Sequence, residues 1–404
     1  MMQPGSSAVT DEIRVKLCAR TDVGQIREHN EDNFLVADLT KRAKGSFDST
    51  RFAAVGHQGS VFAVCDGMGG AAAGEVASQL AVDMLYERMI DGLDDSQVLS
   101  RDDVARRLVR AIEAAGLRIF QDAKADRTRR GMGTTVTAAA LVDGFLFFAQ
   151  VGDSRGYILR QGQLVQMTRD QSLVNQLIEA GQLTEEEAET FEHNNIILQA
   201  LGTADTVQVD LTYCELRRGD TVLLCSDGLS GMVRFDEIRE VLKTTPDPVE
   251  ACRVLIERAN QAGGHDNVTV IVGQFDGEGI PAAGAEPEPL KYRKYVLPEE
   301  GTDTERHRRM MAETAPLVPI VSGRPPSASN PPQGLGSTAV LSNPADISAA
   351  IAAAGQALRS SRPPLRYEDE QIEIPGTHVP AWVVALIVVA VLGAVTGLAF
   401  LFLR

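Results

Sequence analysis

The stretch at residues 60–70, SVFAVCDGMGG, joins a short apolar run to an aspartate and a cluster of glycines. The run 61–65 is brief and is followed by glycines, which is typical of a buried strand, so Asp66 is predicted where that strand leaves the core. A single Asp-Gly pair is also a common turn, because Asp bonds its own backbone and Gly accepts a positive φ. Taken alone, this stretch does not require a chemical role for Asp66.

An aspartate at the end of a predicted strand recurs at three further places. They are Asp153 after the apolar run 145–151, Asp227 after the run 221–225, and Asp266 before the run 268–272. Four such sites are poorly explained by independent turns, whereas core strands could gather the four carboxylates at one rim of a sheet. Like charges at that spacing repel strongly unless cations neutralise them, so the sequence predicts a metal cluster.

The residue types in the chain indicate the class of metal. The six histidines are scattered and the five cysteines contain no C-x-x-C pair, so the sequence has no zinc spacing. Carboxylates combined with carbonyls and water suit Mg²⁺ or Mn²⁺. Two such ions roughly 3.5 to 4 Å apart would hold a water nucleophile and offset charge at phosphorus, which indicates phosphoryl chemistry.

Phosphoryl chemistry also requires a group that binds the phosphate, and Arg27 is the candidate. It lies in DVGQIREHNEDNF, residues 22–34, shortly before the acidic pair Glu31 and Asp32. A guanidinium can bind phosphate oxygens in bidentate fashion. Without the aspartates elsewhere, this stretch would be interpreted as a charged, solvated loop.

Six motifs, in this order, resemble the metal-dependent Ser/Thr protein phosphatases of the PPM (type 2C) family, especially its bacterial branch. They cover about residues 11–277 and are DVGQIREHNEDNF, DGMGG, GMGTT, VGDSR, LLCSDGL and GGHDNVTV. The resemblance implies hydrolysis of phosphoserine and phosphothreonine in proteins with Mg²⁺ or Mn²⁺, as two core ions and a third. It also implies an α+β fold in which a central antiparallel β-sandwich is flanked by helices, in the layer order α-β-β-α.

The resemblance further implies a set of metal ligands. Asp66 would bridge the two core ions, and the carbonyl of Gly67 would bind the first of them. Asp227 and Asp266 would complete the second. Asp153 would hold a third ion together with Asp227.

Other residues of the motifs receive roles in the same way. Arg27 would match the phosphate-binding arginine, Glu31 and Asp32 the acids that orient metal-bound waters, and Asn267 a neighbour that steadies the adjacent aspartate. Many eukaryotic members carry a histidine after the DG pair, proposed to protonate the leaving alkoxide. This chain has Met68 there, so the proton would come from a metal-bound water or another acid.

Apolar spacing predicts three helices, separated by strand runs without regular βαβ alternation, which favours antiparallel sheets with helices outside. The helical positions are Val76, Leu80 and Met84; Val104, Leu108, Ile112, Ala115 and Ile119; and Val254, Leu255 and Ala259.

A polar insert lies between QMTRDQSLV, residues 166–174, and IILQALG, residues 196–202. A helix is predicted at 173–180, and 184–187 has the spacing of a capping box. In related bacterial enzymes this region resembles a mobile flap beside the site, and the alternative is an ordinary surface excursion.

Composition limits the remaining possibilities. The chain has 404 residues, is 44% hydrophobic and carries a formal charge of −16, so it can bury one large core and is a poor candidate for binding nucleic acid. Five unpatterned cysteines predict reduced core residues. The first 20 residues lack an apolar segment, so no signal peptide is expected.

Four segments are predicted along the chain. They are an N-terminal tail at 1–10, the phosphatase domain at 11–277, a Pro/Ala/Ser-rich disordered linker at 278–378 and a transmembrane helix at 379–404. Fourteen of the eighteen prolines lie between Pro281 and Pro375, which is typical of a linker.

The last segment contains 23 uncharged residues, 381–403, enough to cross a hydrocarbon core of about 30 Å. A buried soluble helix is the alternative. Arg359, Arg362 and Arg366 precede the run and only Arg404 follows it, which favours a single-pass membrane protein with a cytoplasmic catalytic domain.

Two functions from different classes remain at this point. The first is a membrane-anchored phosphatase whose partners are phosphorylated proteins, including Ser/Thr kinases and their substrates. The second is a catalytically silent scaffold that binds phosphoproteins with the same fold. A silent scaffold commonly loses metal ligands, and this chain retains all four aspartates and Arg27, which favours the enzyme.

Overall fold

Two six-stranded sheets form the centre of the fold in the computed structural model, which describes residues 12–45, 49–69, 73–189, 191, 195–284, 290–298, 339–340 and 350–351. The strands are β1 Arg14–Asp22, β2 Asn33–Asp38, β3 Ala43–Lys44, β4 Ala53–Ala54, β5 Ser60–Cys65, β6 Gly67–Met68, β7 Gly133–Thr134, β8 Val136–Val142, β9 Phe145–Val151, β10 Arg155–Arg160, β11 Gln163–Gln166, β12 Ile196–Ile197, β13 Asp210–Glu215, β14 Thr221–Cys225, β15 Val268–Asp276 and β16 Ala339–Val340. The helices are α1 Ala73–Ile90, α2 Arg101–Ala125, α3 Leu173–Glu179, α4 Glu185–Glu189, α5 Asp227–Ser230, α6 Phe235–Thr244 and α7 Pro248–Gln261, with a 3₁₀ turn at Arg127–Arg129.

The two sheets are antiparallel throughout. The first sheet has the strand order β11-β10-β14-β15-β1-β4, and the second has the order β13-β9-β8-β5-β2-β3. Every neighbouring pair within them is antiparallel. Two short pairs lie outside these sheets, β6 with β7 and β12 with β16, and the second of these is parallel.

The sheets pack face to face with helices on both outer surfaces. Phe62 and Phe148 of the second sheet share a buried cluster with Ile271 and Phe275 of the first. The outer face of the second sheet packs against α1 and α2, and that of the first against α6 and α7. The predicted α-β-β-α sandwich is confirmed. Strand β5 is buried throughout, and its side chains from Val61 to Cys65 are all apolar because alternate ones face a core on each side.

The three predicted helices form, but α1 buries a different face from the one predicted. Helix α2 begins with a capping box between Ser100 and Asp103, and its predicted apolar positions are buried. In α1 the predicted stripe is only partly buried, and the fully buried face is displaced by one residue to Ala77, Ala81 and Leu85. Small side chains at 77 and 81 let α1 approach its neighbours closely. The five cysteines are all buried and none forms a disulfide, which confirms them as core residues.

Part of the stretch predicted as linker belongs to the folded domain. Residues 290–298 run along the outer strand β13, where the Tyr295 amide donates to the Leu211 carbonyl at 2.8 Å. The Tyr295 ring meets Phe147 at 4.9 Å and Tyr213 at 5.2 Å between centroids, both edge to face. Its hydroxyl donates to Asp102 on α2. These contacts cover an edge strand and an aromatic surface that would otherwise face water.

The helices of the structure contradict the membrane location that the sequence predicts. None of the helices in the described ranges has the length and apolar character needed to cross a bilayer. The span expected at 381–403 lies outside the described residues, as do the tail at 1–10 and most of the linker.

Replacing Tyr295 with alanine tests whether residues 290–298 stabilise the domain. We expect Tyr295→Ala to lower the free energy of unfolding by about 1 to 2 kcal/mol, because two aromatic contacts are lost. Val296, next to it, is 85% exposed, so Val296→Ala is the matched control and should change stability by less than about 0.5 kcal/mol. Urea unfolding measures both, and equal effects of the two substitutions would contradict the packing described.

Candidate active site

Antiparallel pairing brings the predicted aspartates to one edge of the sandwich. Strand β5 ends where β2 begins, β9 ends where β8 begins, and β14 ends near the start of β15. Asp66, Asp153 and Asp227 follow the ends of β5, β9 and β14, while Asp266 precedes β15. The two sheets present this edge on the same side, since Asp66 interacts electrostatically with the other three carboxylates. The four carboxylates therefore lie near one another at this edge.

Burial and mutual repulsion raise the pKa values of Asp66, Asp153 and Asp227. Burial, and then the charge of Asp227, raise the pKa of Asp66 well above its ordinary value. The same two causes raise the pKa of Asp153, and burial followed by Asp266 raises the pKa of Asp227. A buried group of like charges is unfavourable unless protons or cations neutralise it.

The oxygens at this edge fit hard divalent cations. The Oδ1 atoms of Asp153 and Asp227 are buried and accept no hydrogen bond from the described residues. A buried acceptor without a donor costs about 1 to 3 kcal/mol, which a cation beside it would offset. In the described ranges, no group of three or more His, Cys, Asp or Glu side chains is already arranged to hold a metal ion. These oxygens thus fit a hard divalent cation in their chemical type and in their burial.

Two threonines hold the backbone of Asp66 in place. Its carbonyl accepts from the Thr135 amide and from the Thr134 hydroxyl, both at 2.9 Å. Its amide donates to Thr135 Oγ1 at 3.1 Å, and that hydroxyl lies 2.8 Å from Ser154 Oγ, next to Asp153. All three side chains are buried. The GMGTT motif therefore positions one predicted metal ligand and connects it to another.

Arg27 lies at the cluster and pairs with one of its carboxylates. Its guanidinium donates to Asp266 Oδ2 at 2.7 Å, and the two side chains are 32% and 31% exposed. Burial lowers the pKa of Arg27, but the charges of Asp266, Glu31 and Asp66 together outweigh that effect and the pKa is raised. Arg27 is thus a stable cation at the mouth of the site, rather than a residue of a solvated loop.

Asn267 fixes the loop that carries Arg27. Its Oδ1 accepts from the Glu31 amide at 2.8 Å, and its Nδ2 donates to the carbonyls of Val23 at 2.9 Å and His29 at 3.0 Å. Its own amide donates to the neighbouring carboxylate of Asp266 at 2.8 Å. Asn267 therefore steadies this carboxylate, as the resemblance implies, and also holds both ends of the loop.

Glu31 and Asp32 border the cluster on the side of β2. Asp32 is buried and accepts from Ser226 Oγ at 2.8 Å, and burial raises its pKa to about 8. The pKa of Glu31 is also raised, again mainly by burial. A Cβ at Gly67 would come within 2.3 Å of the Gly74 carbonyl oxygen and 2.4 Å of that of Glu31, so only glycine fits there.

The polar insert lies beside the site, and we call residues 171–201 the flap. The predicted helix is confirmed as α3, and Thr184 and Glu187 exchange the two hydrogen bonds of a capping box. Met68, which directly follows Gly67, is buried against the flap residues Ile197 and Ala200. Met68 therefore serves as a packing contact between the site and the flap.

Sequence reasoning quoted the motifs but missed the residues that position the ligands. These are Thr134, Thr135, Ser154 and Ser226. Each is a small hydroxyl residue within two positions of a glycine or an aspartate, a composition equally typical of turns. Their roles depend on contacts between distant parts of the chain, which spacing alone does not give.

Similarity to known proteins agrees with this arrangement. The family model of protein phosphatase 2C matches residues 42–267. The serine/threonine phosphatase stp of Listeria monocytogenes is 37% identical over 257 residues, which are 64% of this chain and 94% of that protein. The serine/threonine protein phosphatase PstP of Mycobacterium tuberculosis is 38% identical over 258 residues, 64% of this chain and 44% of that protein.

Solved structures support the same conclusion. The crystal structure of Mycobacterium tuberculosis PstP/Ppp aligns with a TM-score of 0.55 at 36% identity, covering 65% of this chain and 99% of that one. A structure of the PstP catalytic domain in complex with two manganese ions aligns with a TM-score of 0.54 at the same identity and coverage. Since the family model matches more than half of the chain, and both the relatives and the fold agree with it, the chain belongs to the protein phosphatase 2C family.

Proposed function

We propose that this Ser/Thr protein phosphatase holds Mg²⁺ or Mn²⁺ with its strand-end aspartates and hydrolyses phosphoserine and phosphothreonine monoesters there. The observation that carries the proposal is the half-buried aspartate cluster, with buried Oδ1 atoms of Asp153 and Asp227 that have no hydrogen-bond partner among the described residues, beside the guanidinium of Arg27. The ligands would be Asp66, the Gly67 carbonyl, Asp227 and Asp266. Asp153 would bind a third ion together with Asp227.

When bound, two such cations would activate water for attack and offset the charge of the phosphorus centre. The chain's own residues would do the rest. Arg27 would bind and orient the phosphate through charge-assisted hydrogen bonds, and Asn267 would keep its loop at the site. Glu31 and Asp32, at the border of the cluster, would accept hydrogen bonds from water. Met68 has no proton to donate to the leaving group.

The partners we propose are proteins phosphorylated on serine or threonine, among them Ser/Thr kinases and their substrates. The silent-scaffold alternative has no support, because a scaffold has no need to bury mutually repelling carboxylates.

Removing one shared ligand should abolish turnover. We expect Asp66→Asn to lower kcat on a phosphopeptide and on p-nitrophenyl phosphate by at least about 100-fold, with an unchanged circular dichroism spectrum. Asp276→Asn is the control, because Asp276 pairs with Arg14 at the far end of β15 and should retain activity. EDTA should stop the wild type and Mn²⁺ restore it. Near-normal activity of Asp66→Asn would disprove the shared site.

Removing the phosphate-binding cation should weaken catalysis without weakening metal binding. Arg27→Ala is expected to lower kcat/KM by about 10- to 1000-fold, and Arg27→Lys by less, because charge-assisted bonds to phosphate are lost. Mn²⁺ affinity, measured by calorimetry, should not fall, since the change only releases Asp266. Arg14→Ala is the control for loss of a surface arginine. An unchanged kcat/KM would remove Arg27 from the site.

The metal-free protein should lose stability as pH rises. The pKa of Asp32 is about 8 in the fold against 3.8 ordinarily, so between these values the folded state binds more protons than the unfolded state. Raising pH through this window therefore lowers the free energy of unfolding.

Thermal denaturation in EDTA should accordingly give a lower Tm at about pH 8 than at about pH 5.5, and Mn²⁺ should raise Tm more at the higher pH. Asp32→Asn should reduce this dependence, whereas Asp276→Asn should keep it. A wild-type Tm in EDTA that rises with pH and is unaffected by Asp32→Asn would contradict the expectation.

A further inference from the structure

A segment far along the chain lies on the flap. Strand β16 pairs in parallel with β12, with Ile196 opposite Ala339 and Ile197 opposite Val340. On its other side, β12 bridges Ser172. The edge of a strand offers unpaired amides and carbonyls to any extended chain, and here a part of the same chain uses them.

One side chain of this segment enters an apolar cluster. Val340 packs against Met68, Ile197 and Ala200, which are 8%, 1% and 0% exposed. Backbone pairing together with one side chain that packs in an apolar cluster is the usual pattern of recognition by strand addition, in which pairing gives affinity and the pocket gives specificity.

This surface is connected directly to the predicted metal ligands. Met68 follows Gly67 in β6, one of the tightest parts of the site. Leu201, next to Ala200, exchanges two backbone hydrogen bonds with Thr134, at 2.9 and 3.1 Å. The Thr134 hydroxyl in turn donates to the carbonyl of Asp66. A chain docked on β12 therefore packs against residues that adjoin two predicted metal ligands, Asp66 and Gly67.

The sequence on either side of Ala339–Val340 also has a suitable composition. Residues 325–345 contain no charged side chain, although the chain as a whole carries a formal charge of −16. An uncharged segment avoids repulsion by the carboxylates of the site, and an apolar residue fills the pocket. Within the residues that the structure describes, the pairing spans two residues on each strand, and a competing segment can displace so short a pairing.

We propose that β12 and the cluster of Met68, Ile197 and Ala200 form a docking surface for an extended, uncharged segment, occupied in cis by Ala339–Val340. Protein substrates use the same surface and displace this segment, so that the chain lowers its own affinity for phosphoproteins. The competition rests on the phosphatase function proposed above, whereas the docking itself does not.

The test compares the full chain with Val340→Asp, which places a charge in the apolar pocket. We expect KM for a phosphopeptide to fall about 3- to 10-fold, because an effective local concentration in cis no longer has to be overcome. For p-nitrophenyl phosphate, which has no peptide backbone, kcat/KM should be the same for the full chain and for Val340→Asp. Val296→Asp is the matched control, since Val296 is exposed, and should leave both substrates unaffected.

A synthetic peptide of residues 334–343, GLGSTAVLSN, makes the docking measurable without catalysis. It should bind Val340→Asp in a calorimetric titration and raise the phosphopeptide KM competitively, while the same peptide with aspartate at the valine should do neither. An unchanged phosphopeptide KM in Val340→Asp, or absence of peptide binding, would overturn the proposal. If neither the full chain nor its variants hydrolyse p-nitrophenyl phosphate, the proposed function is wrong. The calorimetric titration would still show whether the peptide docks.

Discussion

Carboxylates that repel one another at one edge of the sandwich are the constraint on which the rest of this structure depends. Repulsion alone would separate the strand ends, so each group needs a restraint that does not rely on its charge. Backbone bonds to two threonines fix Asp66, a hydroxyl fixes Asp32, and an amide fixes Asp266. A rigid core beneath them lets the site keep charges that bound cations can stabilise.

The fold and the residue types of the site could be predicted to the extent that the signals are local. Aspartates at strand ends are visible because a strand is a short apolar run and its end is a change of composition. The helical face of α1 was misplaced by one residue, since alanines at 77 and 81 carry little weight in a hydrophobic pattern yet allow close packing. Partners of Asn267 lie at distant positions, and no spacing rule reveals them.

Composition was a weaker guide towards the end of the chain. Residues 290–298 share the charged, proline-containing character of a linker, but Tyr292 and Tyr295 give them enough aromatic surface to pack on the second sheet. Two tyrosines three residues apart were the signal available in the sequence. Composition averaged over a long window conceals such anchors, because a few residues decide whether a segment repays its loss of conformational entropy.

The flap is tied to the site at both of its ends. At one end, Gln171 exchanges two hydrogen bonds of 2.9 Å with the backbone of Gly152, beside Asp153. At the other, Leu201 is bonded to Thr134, the residue that also restrains Asp66. The flap is thus hydrogen-bonded to two different loops that carry predicted metal ligands. A displacement of the flap would therefore be transmitted through hydrogen bonds to the two loops that carry Asp66 and Asp153.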